Sequence, residues 1–389
     1  MKKLNIAVIG AGFMCKAHVV GMSNMPKLFW PSPVMPVFKT VCDIVPEIAS
    51  EAKIRFGFEK SCTDWRDVIA DPEIDAVHVC TPNDSHAEIS IAALNAGKHV
   101  ICEKPMASKI EDAEKMAIAA TEAAKKGIIS MNAYQYRRVP AIVFAKQLID
   151  EGKIGNILNI RCQYLQSWSA DPNSPLSWRF QKEIAGYGAL GDIASHVIDI
   201  AQYLAGDIDE VVSIMQTYIN ERPVQESGVD SLGTVKGDVG AKKEKVDTDD
   251  EETMLLRFKS GAVGSLEATR NAWGRHNFIT VELHGTKGSI LFNYERLNEI
   301  RVCYADDPDT ERGFKTIYTS PAHPYGDATW NIAGMNIGYG ELKAIEMLEF
   351  AKAIATGEQP STCFNTAYRV EKVAEACARS SKSNQWEKV

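Results

Sequence analysis

An aspartate and a histidine four residues apart share one face of a helix, and the chain has such a pair in Asp192 and His196, with Asp199 a turn further on. A carboxylate beside an imidazole can act as an acid–base pair, because an unperturbed imidazole titrates at about 6.5. Glycines at 186, 188 and 191 precede the pair, and each lets backbone or a ligand come close. The same spacing also suits a buried His–Asp hydrogen bond with a structural role, and the residue types leave that alternative open. A metal would need a third ligand that the sequence does not offer, so no metal site is expected. A second chemical residue is Lys104, set between Glu103 and Pro105 at the end of the apolar run 99–102. Its ammonium could hold a substrate hydroxyl, while spacing alone equally fits a surface lysine. Pro105 biases Lys104 to an extended backbone.

Such residues need a cofactor if they are to oxidise anything, and the N-terminus provides a cradle. Gly10-Ala11-Gly12-Phe13-Met14-Cys15 follows an apolar run at 4–9 and opens a helix. It matches G-x-G-x-x-G except at the last place, which Cys15 holds. The first glycine permits the turn, and the second lets backbone approach a pyrophosphate at the helix N-terminus. Asp43 ends the second apolar run, where an acid would bind the adenosine ribose hydroxyls. A carboxylate there favours NAD, because it repels the extra phosphate of NADP. The gap from Gly10 to Asp43 is longer than the usual 20 or so residues, which we assign to a Pro-rich loop at 26–36. Thr81-Pro82-Asn83 ends another run, with His86 one turn on, and these polar groups can line the pyrophosphate or the nicotinamide ribose. Asn83 or Asp84 could equally serve as a helix cap.

Stepping outward, residues 4–132 alternate strands (4–9, 38–42, 75–80, 99–102, 128–132) with helices (from 12, then 46–56, 85–96 and 110–126). This βαβα order predicts a parallel sheet covered on both faces, with ligands at the carboxyl ends of its strands. After residue 133 the pattern becomes long alternating strands at 156–168, 211–219, 252–258, 262–269, 278–284, 289–294 and 299–304, with helices at 189–204, 341–355 and 366–380. The expectation is therefore an α/β protein. An N-terminal Rossmann dinucleotide-binding domain would occupy 1–132. A second α/β domain with a large, open, mostly antiparallel sheet would occupy 133–389 and serve substrate binding and oligomerisation. The Gly-, Lys- and Asp-rich stretch 221–250 reads as an excursion from that sheet.

Bulk properties exclude several classes. A net charge of -8 gives no basic face for nucleic acid. No run of 18 apolar residues exists to span a membrane. Nine cysteines, an odd count without C-x-x-C spacing, read as reduced core thiols of a cytoplasmic protein. Ahead of the Asp192 helix stand Tyr164, Gln166 and Trp168, then Trp178 and Arg179; aromatics beside polar groups suit sugar faces, and core packing is the alternative for each.

In order along the chain, Gly10-Ala11-Gly12-Phe13-Met14, Asp43, Thr81-Pro82-Asn83 with His86, Glu103-Lys104-Pro105, and Gly188-x-x-Gly191-Asp192-x-x-x-His196-x-x-Asp199 together resemble the Gfo/Idh/MocA oxidoreductase family. Stretches such as Tyr136-Arg137-Arg138-Val139-Pro140 and Pro321-Ala322-His323-Pro324-Tyr325-Gly326 are similar to the branch that contains levoglucosan dehydrogenase. The resemblance implies NAD as cofactor and Lys104, Asp192 and His196 as the catalytic set. It places Gly10, Gly12, Phe13, Met14, Asp43, Thr81, Asn83, His86, Glu103, Lys104, Trp178 and Arg179 at the cofactor. It places Lys104, Tyr136, Arg137, Tyr164, Gln166, Asp192, His196 and His323 at the substrate. The implied reaction is oxidation of a secondary hydroxyl, at C3, of levoglucosan or another glucose-configured pyranoside. Other readings are a glycoside 3-oxidoreductase that retains and recycles NAD, an inositol dehydrogenase, and a catalytically idle NAD(H) or sugar sensor. A homodimer or homotetramer is expected, because an open apolar sheet face is rarely left bare.

Overall fold

The computed structural model describes residues 2–224, 242–330 and 332–389. The middle of the 221–250 excursion lies outside them.

Met1–Arg138 and Tyr325–Arg369 pack as one compact unit. Its strands are β1 (Lys2–Ile9), β2 (Val34–Cys42), β3 (Lys60–Cys62), β4 (Ala76–Val79), β5 (His99–Cys102) and β6 (Ser130–Asn132). They form a six-stranded sheet in the order β3-β2-β1-β4-β5-β6, parallel throughout. Strands buried on both faces read as unbroken apolar runs, and all of Ala76–Val79 is buried. Between them run α1 (Phe13–Leu28), α2 (Pro46–Phe56), α3 (Trp65–Ala70), α4 (His86–Asn95) and α5 (Ile110–Ala124).

The long gap before Asp43 has a different origin from the Pro-rich loop expected at 26–36. Helix α1 runs on through Pro26 to Leu28, and β2 already begins at Val34. Pro36 lies within β2 opposite Leu4. It is tolerated there because β3 pairs only with residues 40–42, which leaves that end of β2 an edge.

The second unit comprises Val139–Pro324 and Val370–Val389. Its elements are α6 (Pro140–Asp150), β7 (Ile157–Leu165), α7 (Lys182–Ala185), α8 (Ser195–Ala205), β8 (Ile208–Gln216), β9 (Glu221–Pro223), β10 (Lys243–Lys245), β11 (Glu251–Phe258), β12 (Val263–Thr269), β13 (Phe278–Gly285), β14 (Gly288–Asn293), β15 (Glu299–Tyr304) and β16 (Lys315–Tyr318). Helix α9 (Tyr339–Thr356) then belongs to the first unit, and the division between units falls inside α10 (Phe364–Ser383), before β17 (Glu387–Lys388). Packing thus divides the chain more finely than one boundary near 132. The cause is α9, which lies so close on α1 that a Cβ at Gly21 would sit 2.8 Å from the Lys343 carbonyl oxygen.

The large sheet has the order β16-β15-β14-β13-β7-β12-β11-β8-β17 and is antiparallel except where β7 meets β12. Helices α6, α8 and α10 cover one face. Alternation along β11 is regular: Glu252, Met254, Leu256 and Phe258 point into this core, while Thr253, Leu255 and Arg257 point out. The outer face carries Ile214, Leu255 and Val263, each more than half exposed, among polar side chains such as Arg161 and Thr253. The feet of the 221–250 excursion are ordered, β9 pairing antiparallel with β10.

Glu252 is a polar residue in that apolar layer, fully buried, with neither carboxyl oxygen hydrogen-bonded among the described residues. Ser213, beside it, already donates its hydroxyl proton to the Cys377 carbonyl, 2.7 Å away. Burial, with Asp249 adding to it, pushes the Glu252 carboxyl up to about 9. An unfolded chain would release that proton near the ordinary 4.5. The fold therefore holds more protons across this window, and Glu252's contribution to stability, complete below 4.5, is lost as pH rises toward 9. Glu252→Gln keeps the shape without the ionisation. Its melting temperature is expected to fall less than that of the unmodified protein between pH 5 and pH 8.5. An unchanged pH slope would refute the assignment.

Candidate active site

At the nucleotide end of the first unit, the strands of the parallel sheet run out and leave backbone groups to be paired. Gly10 turns the chain at φ +92°, a left-handed conformation, and a Cβ there would meet the Cys80 carbonyl oxygen at 2.6 Å. Its N–H donates to Cys42 O at 2.8 Å. Asp43, the next residue, bridges this turn to α2: Oδ2 accepts from the Ala11 N–H (2.9 Å) and Oδ1 from the Val45 N–H (3.0 Å). Its carboxylate is thereby fixed beside the Gly10–Gly12 turn, half-buried, with lone pairs left for ribose hydroxyls. Among the described residues a Cβ at Gly12 would touch nothing, and no side chain caps α1. Open space above uncapped N–H groups is what a pyrophosphate needs, so these residues fit a dinucleotide. Phe13 and Met14 flank the turn, Phe13 half exposed. Cys15, in the place of the third glycine, is fully buried, and burial pushes its thiol up to about 12.

Lys104 sits on a turn held from three sides. Asn132 Nδ2 donates to the carbonyls of Cys102 and Glu103, both at 3.1 Å. His86 Nδ1 meets the Pro105 carbonyl and its Nε2 the Thr81 carbonyl, both at 2.9 Å. The third contact comes from Glu103, whose Oε2 accepts from the Lys104 N–H at 3.2 Å. Two residues expected at the cofactor lie beneath this turn. His86 is fully buried with both ring nitrogens on backbone, and the Glu103 carboxylate faces the interior, its Oε1 against His18 and Lys343. Both residues shape the Lys104 turn from beneath. Thr81 Oγ1 accepts from Ser85 Oγ at 2.7 Å, and Asn83 is buried in a short 3-10 turn. Tyr136 and Arg137 lie buried in the turn Gln135–Arg138, where Arg137 Nη1 donates to Ser361 O at 3.2 Å.

In the second unit, Asp249 organises the Gly188-x-x-Gly191-Asp192 segment. Its carboxylate accepts from the N–H groups of Gly188 (2.6 Å) and Leu190 (2.7 Å), and its carbonyl accepts from Ala189 (3.0 Å). A Cβ at Gly188 would lie 1.8 Å from that carbonyl oxygen, so this position requires glycine. Held in this way, Leu190–Ala194 winds as a π turn before α8 begins at Ser195. The expected regular helix at 189–204 is thus widened where Asp192 sits, a form common at functional sites. Asp192 lies between two guanidiniums: Arg179 Nη1 is 3.5 Å from Oδ1 and Arg270 Nη1 is 3.6 Å from Oδ2. Arg270 is wholly buried, donates to the Asp249 carbonyl at 3.1 Å, and faces the rings of Trp168 and Phe180. Two cations so placed balance the Asp192 carboxylate and fix its orientation.

His196, in the first turn of α8, is 3 % exposed, and its ring centroid lies 6.0 Å from that of Tyr164. A row of side chains joins there. Tyr164 OH donates to Asn277 Oδ1 (2.6 Å), Gln166 Nε2 to Asn277 Oδ1 and Tyr164 OH (both 3.1 Å), and Trp168 Nε1 to Gln166 Oε1 (3.0 Å). Hydroxyl, amide and indole in one row suit a polyhydroxylated ligand. Trp178 stacks under the Arg179 guanidinium, 4.3 Å from ring centre. His323 makes other contacts, its Nδ1 accepting from the Ser320 N–H at 3.1 Å and its ring packing edge-on against Phe144. Arg270, Asp249 and Asn277 escaped the sequence reading. The one signal for Arg270 was a charge directly after the alternating strand that ends at Thr269.

Two family descriptions match. Residues 4–132 match the oxidoreductase family with an NAD-binding Rossmann fold, and residues 142–291 match the GFO/IDH/MocA C-terminal domain. The chain belongs to the Gfo/Idh/MocA family. With its NAD-binding Rossmann unit and its levoglucosan dehydrogenase relatives, it is an NAD-dependent oxidoreductase acting on CH–OH groups. Among family members, a levoglucosan dehydrogenase of Pseudarthrobacter phenanthrenivorans is 54% identical over 99% of this chain and 98% of its own length. A solved levoglucosan dehydrogenase in complex with NADH and levoglucosan superposes with a TM-score of 0.93 at 52% identity, covering 100% of this chain and 99% of that one. An oxidoreductase domain protein from Kribbella flavida gives a TM-score of 0.93 at 40% identity, with complete coverage of both chains.

Removing the Asp43 carboxylate should weaken NAD binding by roughly 10- to 100-fold, the worth of hydrogen bonds to a charged group, while NADP binding weakens less. Titration of Asp43→Ala by nucleotide fluorescence measures both. An unmodified protein that binds the two nucleotides equally would refute the role.

Proposed function

We propose that the protein is an NAD-dependent sugar dehydrogenase that oxidises the C3 hydroxyl of levoglucosan or a closely related glucose-configured pyranoside to the keto sugar. The observation that carries this reading is Asp192, held between Arg179 and Arg270 one turn before His196 and beside the Tyr164–Gln166–Asn277 row. The likeness to a levoglucosan dehydrogenase over the whole chain supports the sugar.

An alcohol gives up hydride readily only as its proton leaves, so a base must stand by the oxygen. Asp192 is less well placed, since both its carboxyl oxygens are turned to guanidiniums. We assign the proton to His196 and the orientation of the substrate to Asp192. Lys104 holds and polarises the reacting oxygen, its ammonium stabilising the developing alkoxide. Gly10, Gly12, Phe13, Met14, Asp43, Thr81 and Asn83 hold NAD, with Trp178 and Arg179 as further contacts; when bound, it supplies the hydride acceptor. Tyr136, Arg137, Tyr164, Gln166 and His323 are assigned to the sugar. A site of polar donors of this kind rejects alcohols without ring hydroxyls, because its buried groups would be left unpaired.

We assign the protein to the cytoplasm, because all nine cysteines are free thiols. Among the described residues no helix is long and apolar enough to cross a membrane. The bare outer face of the nine-stranded sheet, with Ile214, Leu255 and Val263 exposed, serves as the contact of a homodimer or homotetramer. Light scattering at micromolar concentration should give a multiple of the chain mass, and a monomer would refute this.

His196→Ala should lower kcat by about 10²- to 10⁴-fold, the usual share of a positioned acid–base group, with NAD affinity unchanged. The rising limb of the kcat–pH profile should flatten in the variant. Reduced-nicotinamide absorbance with a sugar panel reads the rate, and NMR of the product locates the carbonyl. Near-normal kcat in His196→Ala would make Lys104 the base, and a carbonyl at C1 or C2 would overturn the assignment to C3.

A further inference from the structure

Beneath the Lys104 turn lies a group of ionisable side chains of which only Glu103 has been given a role above. His18 from α1, His78 from β4, Glu103 and Lys343 and Glu346 from α9 meet inside the first unit. Four of the five side chains are wholly buried, and Glu103 is nearly so. Lys343 Nζ donates to Glu346 Oε2 at 2.7 Å and to Glu103 Oε1 at 3.3 Å. His18 Nε2 lies 2.9 Å from the same Glu103 oxygen, placed to donate to it, and the Nδ1 atoms of His18 and His78 lie 3.0 Å apart.

A buried ion network is a poor source of stability. Each charge removed from water costs several kcal/mol, and apolar replacements of equal volume are often neutral or better. What this network does have is one outlet. Glu103 Oε1 is taken up inside, while Oε2 receives the backbone N–H of Lys104. Burial alone would push the Glu103 carboxyl up. The Lys343 charge and the His18 hydrogen bond outweigh it and hold the group well below the usual carboxylate range. Glu346 and Glu103 in turn keep Lys343 charged in spite of its burial. The result is a charge-assisted hydrogen bond to the Lys104 amide, stronger and more directional than one to a neutral carboxyl.

We propose that Lys343 and His18 are positioning residues for Lys104: from α9 and α1 they fix the Glu103 carboxylate, whose second oxygen sets the main chain from which the Lys104 side chain extends. Neither needs to touch substrate or NAD. A misplacement of about 1 Å at a reacting group can cost about 10²-fold in rate, so a modest shift of this turn would register in kcat. The inference rests on the catalytic role assigned above to Lys104.

The test compares Lys343→Met, the charge-balanced double variant Lys343→Met/Glu346→Gln, and the pair His18→Gln and His18→Leu. The double variant covers the case in which a lone buried carboxylate prevents folding. Gln at 18 keeps an N–H for Glu103 and Leu does not. Circular dichroism and melting temperature establish which variants fold. In folded variants kcat should fall roughly 10- to 100-fold for the Lys343 changes and for His18→Leu, with NAD affinity within about twofold, and His18→Gln should recover most of the rate. In protein labelled with 15N-lysine and free of ligands, the Lys104 amide resonance should move upfield and lose exchange protection in the same variants. Placed in a Lys104→Ala background, the substitutions should lower the residual rate no further, since residues acting through one group are not additive.

A folded Lys343 variant with kcat within twofold of normal and an unmoved Lys104 amide would overturn the proposal. So would an equal further loss in the Lys104→Ala background, which would mark the network as merely structural. A Lys104→Ala protein with undiminished kcat would instead remove the catalytic role of Lys104, and the positioning role with it.

Discussion

Where a strand stops, its last N–H and C=O groups lose their ladder partners, and buried groups of this kind must be paired. Much of the candidate site follows from that constraint. At the carboxyl ends of the parallel strands, Asp43 takes the N–H groups of Ala11 and Val45, Asn132 takes the carbonyls of Cys102 and Glu103, and the two ring nitrogens of His86 face those of Thr81 and Pro105. In the other unit Asp249 does the same for Gly188 and Leu190, and the buried Arg222 and Arg270 serve carbonyls at Ser169, Asp171 and Asp249. Polar side chains at these edges therefore divide into two kinds. Some fasten backbone, and others are held out by backbone so fastened.

That division explains what could be read in the sequence and what could not. The parallel sheet and the alternating strands were legible because periodicity reports burial directly, and the motif glycines because backbone geometry restricts the residue at 10 and 188. Lys104, Asp192 and His196 stood out because their types and spacing suggest chemistry. His86 and Glu103 stood out for the same reason, but their internal partners did not, because a histidine and a glutamate at strand ends look alike whether they face a ligand or the protein's own groups. Asp249, Arg270 and Lys343 carried little local signal. Each acts on a segment far away in sequence, Lys343 on Glu103 across 240 positions, and only the fold brings the partners together. The Pro-rich loop failed on a narrower point, since Pro26 is accommodated in the last turn of a helix and Pro36 on a strand edge.

The electrostatics of the two units contrast. Asp192 is flanked by two cations and its side chain is 15% exposed, so its charge reaches the surface of the unit. Glu103 is an anion with no such access, and its field is directed at a peptide bond. The first kind of group can select what binds, while the second can only determine where a neighbour stands. A change at Asp192 should therefore alter recognition, and a change around Glu103 should alter precision.

Helix α9 gives the nucleotide-binding unit an unusual history within the cell. The unit is discontinuous, with its first 138 residues made early and the rest, Tyr325–Arg369, delivered only after most of the second unit. At ordinary rates of synthesis the delay is on the order of tens of seconds. During that interval the parallel sheet can form, but the lysine that neutralises Glu103 is still in the ribosome or unmade. The nascent fold thus has the Glu103 carboxylate without its lysine partner. Completion of the chain seats α9 against Gly21 of α1 and brings Lys343 to Glu103, so the last segment of the unit to arrive is also the one that supplies the cation beneath the turn.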